Sequence, residues 1–284
     1  MLGTETMSQI SVVVCAKNTA ATIDACLKAV LNNQPLEIIV IIDGNSTDAT
    51  LQIARKYTDM IYSNEGKGLG YARQIGAEKA RGDLLAYVDA DTRLPHPDVL
   101  AMMLRELKES GWVAIHAQLV DPRDNKTYWQ EAEDFHFRNQ FNKAGERQKI
   151  RTAVCLIRRD IILNYNFDPF FEGTGEDADF YYRVRKDGHR FGVSSAVAYH
   201  YHRSSFKEFV RQRIWYGKAA ARFIWKHKRI REIAFPMALI PLGILVCMKN
   251  RSTKMLPYYV TWGIFTGMGM LKEFLGLVMM RVRA

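Results

Sequence analysis

Two aspartates one residue apart, Asp89 and Asp91, follow the apolar run "LLAYV" at 84–88. Like charges this close repel, so the pair calls for a cation. Carboxylates at a strand end suit Mn²⁺ or Mg²⁺, which keep several waters and take further ligands from a substrate phosphate. Read alone, the spacing equally describes a turn whose acids cap the helix beginning near "PHPDVL". Three further groups widen the chemistry. Asp43 closes "LEIIVIID" (36–43) before a turn through Gly44 and Asn45, either as a ligand contact or in an ordinary strand–turn–helix. Glu176, Asp177 and Asp179 crowd "GEDADF". A carboxylate there serves as a general base, or simply as the acidic first turn of a helix. His200 and His202 in "HYHRSS" are expected on one side of a strand, as metal ligands or as ordinary surface or core histidines.

The elements that must position these residues alternate. "ISVVVCA" (10–16) and "LEIIVIID" are β-branched runs expected of strands covered on both faces. "DMIYS" (59–63), "LLAYVDA", "WVAIHAQLV" (112–120) and "AVCLIRR" (153–159) add strands. Helices are predicted over 22–33, 47–57 with Thr47 or Asp48 as N-cap, 68–82 ended by Gly82, 96–110, 128–141 and 175–188. A last strand ends in "YHYHRSS". The alternation predicts an α/β fold with a parallel or mixed sheet flanked by helices. In such sheets ligands sit outside the carboxyl ends of the strands, where Asp43, Asp89 and Asp91 fall.

The chain has 284 residues, 48% apolar, enough for one large domain or two small ones. Four scattered cysteines with no C-x-x-C pair predict reduced, mostly buried thiols and no zinc site. The first ten residues lack the basic and apolar regions of a secretory signal. Net charge is +10, and Arg203–Arg231 holds ten Lys/Arg against Glu208. From Phe206, apolar residues (Phe206, Val210, Ile214, Gly217, Ala221, Ile224) recur at helical spacing among the basic ones. That pattern predicts a basic amphipathic helix lying on a membrane or facing phosphate. Two uncharged runs follow, Ile233–Met248 and Met255–Leu271. Each is short of the roughly 20 residues of a full span. A hairpin of short spans, re-entrant segments and buried core helices all remain open, while the aromatic cluster Tyr258, Tyr259 and Trp262 favours the membrane.

The order of "SVVVCAKN" (11–18), "IIDGNSTDAT" (41–50), "GKGLGYARQIGAEKARGDLLAYVDADT" (66–92) and "GEDADFYYRVRKDG" (175–188), then a histidine and a basic segment, resembles the family 2 glycosyltransferases of GT-A fold. The likeness covers about residues 8–220. It implies a Rossmann-like catalytic domain over 8–205, a basic interfacial helix over 206–232 and a membrane-associated region over 233–284. It further implies a metal-dependent, inverting transfer of sugar from a UDP- or GDP-sugar. Asp43 then contacts the base, and Ala16, Lys17 and Asn18 line the nucleotide edge. Lys67 and Arg73 reach the nucleotide or its phosphates. Asp89 and Ala90 face ribose, with Asp89 also on a metal-bound water. Asp91 binds the metal, with His200 or His202 completing its shell. Asp177 is the candidate base, and Glu176 orients it or replaces it. "RQRIWYG" (211–217) resembles the Q-x-x-R-W of processive relatives without matching it, against a polymer-extending synthase.

The tail narrows the acceptor to a lipid, a lipid-linked sugar or a membrane-proximal glycan. The catalytic domain is expected on the cytoplasmic face, with no nucleic-acid partner. Rival readings are a retaining GT-A enzyme, a nucleotidyltransferase and an inactive membrane scaffold. The nucleotidyltransferase should show a glycine-rich, basic loop after the first strand, where this chain has "AKNTAAT".

Overall fold

β-branched runs build the centre of the sheet because their stiff side chains pack well when both faces are covered. The computed structural model describes residues 9–171 and 173–283. The residues 1–8 in which a leader was sought lie outside it. Strands β1 (Ile10–Ala16), β2 (Glu37–Ile42) and β4 (Leu84–Val88) are buried almost throughout. The others are β3 (Ile61–Ser63), β5 (Thr92–Arg93), β6 (Ala114–Val120), β7 (Gly145–Arg147), β8 (Val154–Arg158) and β9 (Phe191–His200). Among the described residues they form one sheet in the order β3-β2-β1-β4-β8-β6-β9-β5, with β7 also paired to β9.

The sheet is mixed. β3, β2, β1 and β4 run parallel, and β8 enters antiparallel between β4 and β6. β6 and β9 are parallel to each other. Inserting β8 has a local consequence: the Asp89 amide, just past β4, donates to the Ala153 carbonyl at 2.7 Å. The end of β4 is thereby fixed to the segment entering β8.

Helices α1 (Ile23–Asn32), α2 (Thr50–Ala54), α3 (Leu69–Lys79), α4 (Val99–Ser110), α5 (Tyr128–Gln140), α6 (Arg159–Tyr165) and α7 (Glu176–Lys186) follow the expected alternation. Two boundaries differ for physical reasons. α2 is shorter than 47–57 because it begins only after the turn in which the Asp48 carboxylate accepts from the Thr50 amide and hydroxyl and, across the loop, from the Ala20 amide at 2.9 Å, and because it closes in tight i→i+3 turns at Lys56 and Tyr57. α3 stops at Lys79, before extended Ala80, so Gly82 is not its cap. A Cβ on Gly82 would lie 2.5 Å from the Gln9 carbonyl oxygen, so glycine is needed there for close backbone approach.

The chain divides into two compact units. The first contains the described residues up to Pro122 together with Gln140–Tyr201, and the second Arg123–Asn139 with the chain from His202 onward. The expected catalytic domain over 8–205 thus loses residues 123–139 and 202–205 to the second unit. The four cysteines are free, and three of them are buried.

The second unit is built on α5, α8 (Phe206–His227), α9 (Phe235–Lys249) and α10 (Leu256–Arg283). Ser205 and Glu208 form a capping box that starts α8. The buried face of α8 carries Phe209, Arg213, Gly217, Ala221 and Ile224, while Phe206 is 48% exposed. Gly217, Ala221 and Ile224 lie on the expected face, while in the first turns Phe209 and Arg213 are buried where Phe206, Val210 and Ile214 were expected. Glycines set the contact with α10. A Cβ on Gly217 would sit 2.2 Å from the Thr266 carbonyl oxygen, and one on Gly269 would sit 2.1 Å from that of Ile214. The helix expected to lie on a membrane is thus also packed backbone to backbone against its neighbour. The second hydrophobic segment is also no short span, since α10 runs for 28 residues.

A charge lies at the centre of this unit. Arg213 is 1% exposed and donates to Glu133 at 2.5 Å, and the Tyr258 hydroxyl donates to the same carboxylate at 2.7 Å. The guanidinium also faces the Phe209 and Trp262 rings at 4.5 and 4.3 Å. Burial by itself would raise the Glu133 carboxyl. The Arg213 charge, helped by His202 and His136, overrides it and holds the group at about 2. A depressed carboxyl stabilises the fold above its unfolded value and loses that contribution as pH falls through its folded value. The stability advantage of the natural chain over Glu133→Gln is therefore expected to be complete above about pH 4.5 and to shrink toward pH 2, as read by thermal unfolding in detergent. At neutral pH the single substitution is expected to cost about 3–5 kcal/mol, and Glu133→Gln with Arg213→Met to recover most of it.

Candidate active site

The site forms where the first unit's strands end at their carboxyl edge. β1 ends at Ala16, and the next residue, Lys17, reaches Asp43 at 3.1 Å. Asn18 adopts a left-handed backbone (φ 49°), and its side-chain carbonyl accepts from the Thr47 amide at 2.8 Å. The Asn18 amide donates to the Ser46 hydroxyl at 3.3 Å. The loops after β1 and β2 are thus laced together. Asp43 is buried and accepts from the Asn45 amide at 2.9 Å and from Asn64. Burial raises its carboxyl, but the Asn45 amide, Lys17 and Asn64 together bring it below the ordinary range. Asp43 is therefore an anchored carboxylate at the edge where Ala16 and Asn18 also lie.

Lys67 is on the surface, paired with Glu65 at 2.6 Å and lying over the Tyr71 ring. Arg73, expected to reach the nucleotide or its phosphates, is instead 3% exposed. It donates to Asp89 at 3.2 Å and pairs directly with Glu176. Its backbone carbonyl receives the Tyr87 hydroxyl at 2.9 Å. Arg73 therefore lies beneath the edge and joins the end of β4 to the start of α7.

Ala90 is buried, and Asp89 and Asp91 keep about a third of their side-chain surface exposed, 34% and 31%. The Asp89 carboxyl is raised, first by burial and then by Asp91, while Arg73 and His200 oppose the rise. The β5–β9 pairing sets Thr92 opposite His200 and so brings the end of β9 beside the turn after β4. His200 Nε2 lies 4.0 Å from Asp91 Oδ1. β9 ends at His200, so His202 does not share its strand face. It belongs to the second unit, 4% exposed, 3.9 Å from Asp134 and packed against the Phe137 ring. The structure therefore brings Asp89, Asp91 and His200 together and does not add His202 to them.

Among the described residues, no group of three or more His, Cys, Asp or Glu side chains could cage a metal ion. Two accessible carboxylates with one imidazole nearby still fit Mn²⁺ or Mg²⁺, which accept few protein ligands and complete their shell with water and phosphate oxygens.

The three acids of "GEDADF" separate into different environments. Gly175, at φ 89°, turns the chain into α7 through a conformation that favours glycine. Glu176 is 2% exposed, and a Cβ on Gly70 would approach its Cβ to 3.1 Å, so α3 passes close beside it. Burial raises its carboxyl and Asp177 adds to the rise, against the pull of Arg73. Asp179 is fully buried and bound to Arg183 at 2.8 Å one turn on, a structural pair. Asp177 is half-buried and accepts the Thr152 hydroxyl at 3.5 Å and the Ala178 amide at 2.7 Å.

Sequence reading missed Asn64 and Thr152, and the pairing of Lys17 with Asp43. Asn64, in "SNEG" after a short strand, carried a local turn signal. Lys17 and Thr152 acquire their roles through partners distant in the sequence.

The model of the family described as "Glycosyl transferase family 2" matches residues 11–165. The chain is 37% identical over 103 residues to the putative glycosyltransferase EpsH of Bacillus subtilis, covering 34% of this chain and 29% of that protein. It is 25% identical over 252 residues, 78% of this chain and 75% of the relative, to a dolichyl N-acetyl-alpha-D-glucosaminyl phosphate 3-beta-D-2,3-diacetamido-2,3-dideoxy-beta-D-glucuronosyltransferase of Methanococcus voltae. The fold is similar to that of glucosyl-3-phosphoglycerate synthase from Mycobacterium tuberculosis, solved with Mg²⁺ and UDP. The TM-score is 0.55 at 18% identity, over 76% of this chain and 78% of that one.

Arg73 is expected to be the stability determinant of the site. Arg73→Met leaves the buried Glu176 and the partly exposed Asp89 without a countercharge, at a cost of about 3–5 kcal/mol in urea unfolding. Arg73→Lys should recover only part of the loss, because a point-like ammonium cannot reproduce a planar fork shared by two carboxylates.

Proposed function

Because the chain belongs to glycosyl transferase family 2, we propose that it transfers a sugar from a nucleotide-sugar donor to a lipid-linked or membrane-proximal acceptor, with inversion and with a divalent cation. The observation that carries this reading is that one buried guanidinium, Arg73, binds both Asp89, which adjoins Asp91, and Glu176, which adjoins Asp177, so that two carboxylate pairs meet at one edge of the sheet. A transfer that expels a nucleoside diphosphate needs one such site for the leaving group and one for the acceptor proton. The neighbours bound to Mg²⁺ or Mn²⁺ with UDP support the donor and cation classes.

Asp43, held ionised by Lys17 and the Asn45 amide, binds the base, with Ala16 and Asn18 forming the edge of its cleft. Asp89 faces ribose. Asp91 and His200 are the residues that would hold the cation. Bound there, a divalent cation offsets negative charge on the departing diphosphate. Asp177 takes the proton from the acceptor hydroxyl, since it is partly accessible while Glu176 is committed to Arg73. Glu176 fixes the start of α7 and so positions Asp177.

Two observations support a membrane acceptor. Ile230–Lys249 and Thr253–Arg281 are long and apolar enough to cross a bilayer, with mean hydropathy 1.8 and 1.3. Their outer side chains are exposed and apolar, among them Met237, Leu245, Met248, Ile264 and Leu271. That exposure disfavours the reading of both segments as core helices. The Methanococcus voltae relative, named for a dolichyl-phosphate-linked substrate, supports a lipid-linked acceptor. Part of the basic helix is neutralised internally: Arg213 pairs with Glu133 and Arg222 with Glu273. Attraction to anionic lipid then rests on the remaining Lys/Arg, at about 1 kcal/mol each near such a surface.

Release of nucleoside diphosphate from a panel of UDP- and GDP-sugars, with membrane lipid extract as acceptor, tests the reaction. Asp91→Ala is expected to abolish metal-dependent turnover. Asp177→Asn should reduce transfer at least about a hundredfold while still binding donor. Near-normal turnover by Asp177→Asn removes it as the base. The membrane reading predicts that the full chain requires detergent and co-sediments with anionic vesicles; a detergent-free monomer indifferent to vesicles contradicts it.

A further inference from the structure

A second concave site lies in the first unit, away from the paired aspartates. Its cavity of about 220 Å³ is lined by His116, Gln140, Phe141, Arg147, Gln148, Lys149 and Val193. At roughly 30 Å³ per water it holds about seven waters, the scale of a small polar ligand. None of the lining residues is acidic, and two are cationic. Arg151, outside the lining, lies over the Phe141 ring at 4.0 Å.

The back of the cavity is His116, 2% exposed on β6. Its Nδ1 lies 2.7 Å from the Ala117 carbonyl oxygen, which can only accept, so Nδ1 carries the proton. Burial, with the charges of Arg151 and Arg147, lowers the imidazole to about 4 and keeps it neutral. Nε2 is therefore a hydrogen-bond acceptor, and it is buried with no hydrogen-bond partner among the described residues. A buried acceptor left unpaired is costly, so a ligand hydroxyl donating to Nε2 is favoured. A simple anion satisfies the cations but offers Nε2 nothing. A phosphate ester that also carries a free hydroxyl satisfies both.

The topology places this cavity beside the acceptor half of the site. His116 is in register with Cys155 of β8, and Cys155 with Tyr87 of β4, two residues before Asp89. At about 4.8 Å between strands, His116 lies about 10 Å across the sheet from Tyr87. The cavity-lining segment continues through Arg151 to Thr152, whose hydroxyl meets Asp177.

We propose that His116, Arg147 and Lys149 form a subsite for a hydroxylated phosphate ester, which places the phosphate-bearing part of the acceptor on the Asp177 side of the sheet. This deepens the glycosyl-transfer reading and rests on it for the word acceptor. The shared chemistry, a phosphate next to a polyol, occurs in free polyol phosphates and in lipid headgroups.

The test is direct binding by the full chain in detergent or nanodiscs, without donor. Calorimetry with glycerol 3-phosphate examines the free ester, and flotation with phosphatidylglycerol vesicles against phosphatidylcholine vesicles examines the headgroup. At least one is expected to bind, and the double variant Arg147→Gln, Lys149→Gln is expected to weaken that binding about tenfold or more. Propyl phosphate, which keeps the ester and loses both hydroxyls, should bind more weakly than glycerol 3-phosphate to the natural chain. UDP affinity measured alongside shows whether the donor site is intact. Binding of neither probe, or an affinity within about twofold in a double variant that still binds UDP, overturns the subsite. If a probe binds as expected while no nucleotide sugar is turned over, the subsite stands and the transfer reading falls.

Discussion

The buried guanidinium of Arg73 is the constraint around which the first unit's site is organised. It meets Asp89 at the end of β4 and Glu176 at the start of α7. A charge so deeply buried is tolerated only when it is paired and hydrogen-bonded, so the pairing fixes three elements at once. α3 must pass close to α7, which is why position 70 is a glycine beside Glu176. β4 must end where its first carboxylate can accept from below. Asp91 and Asp177 are then the members of the two acidic pairs that Arg73 does not bind directly. The guanidinium thus commits one member of each pair, Asp89 and Glu176, although Asp89 stays as exposed as Asp91 while Glu176 is buried.

The mixed sheet provides the second level of organisation. Antiparallel β8, between β4 and β6, brings the Ala153 carbonyl to the Asp89 amide and Thr152 to Asp177. The same strand connects the catalytic edge to His116 through two register pairs. The residues proposed to hold the donor gather at the ends of β1, β2 and β4, where the loops after β1 and β2 are tied by Asn18, Ser46 and Asp48. The cationic cavity lies on the opposite flank. In the proposed transfer, a donor bound by the loops after β1 and β2 and an acceptor bound at the cationic cavity would meet at the Asp89 turn, as an in-line displacement requires.

The second unit meets a different demand. Its long helices expose apolar side chains outward while enclosing Arg213, Glu133 and the aromatic rings of Phe209, Tyr258 and Trp262. Glycines at 217 and 269 let α8 and α10 approach at backbone distance, where small residues favour helix association without needing a hydrophobic driving force. That arrangement is consistent with a lipid environment, in which an internal charge must be neutralised by a partner within the protein.

Local signals in the sequence determined much of this. β-branched runs marked β1, β2 and β4, because covered strands need such residues. The helical spacing of apolar positions marked α1, α4, α5 and α7. The positions of Asp43, Asp89 and Asp91 at strand ends followed from those runs. Tertiary structure decided what the spacing could not. Nothing in residues 66–92 shows that Arg73 turns inward, because its partner Glu176 lies 103 residues away. His200 and His202 look alike in "HYHRSS", yet the strand ends between them, leaving one near Asp91 and the other against Asp134. Periodicity marked Gly217, Ala221 and Ile224 on the buried face of α8 but not Arg213, whose burial rests on its pairing with Glu133 from another helix. Spacing encodes which residues share an element, whereas the pairing of charges across elements depends on burial, and burial exists only once the chain has folded.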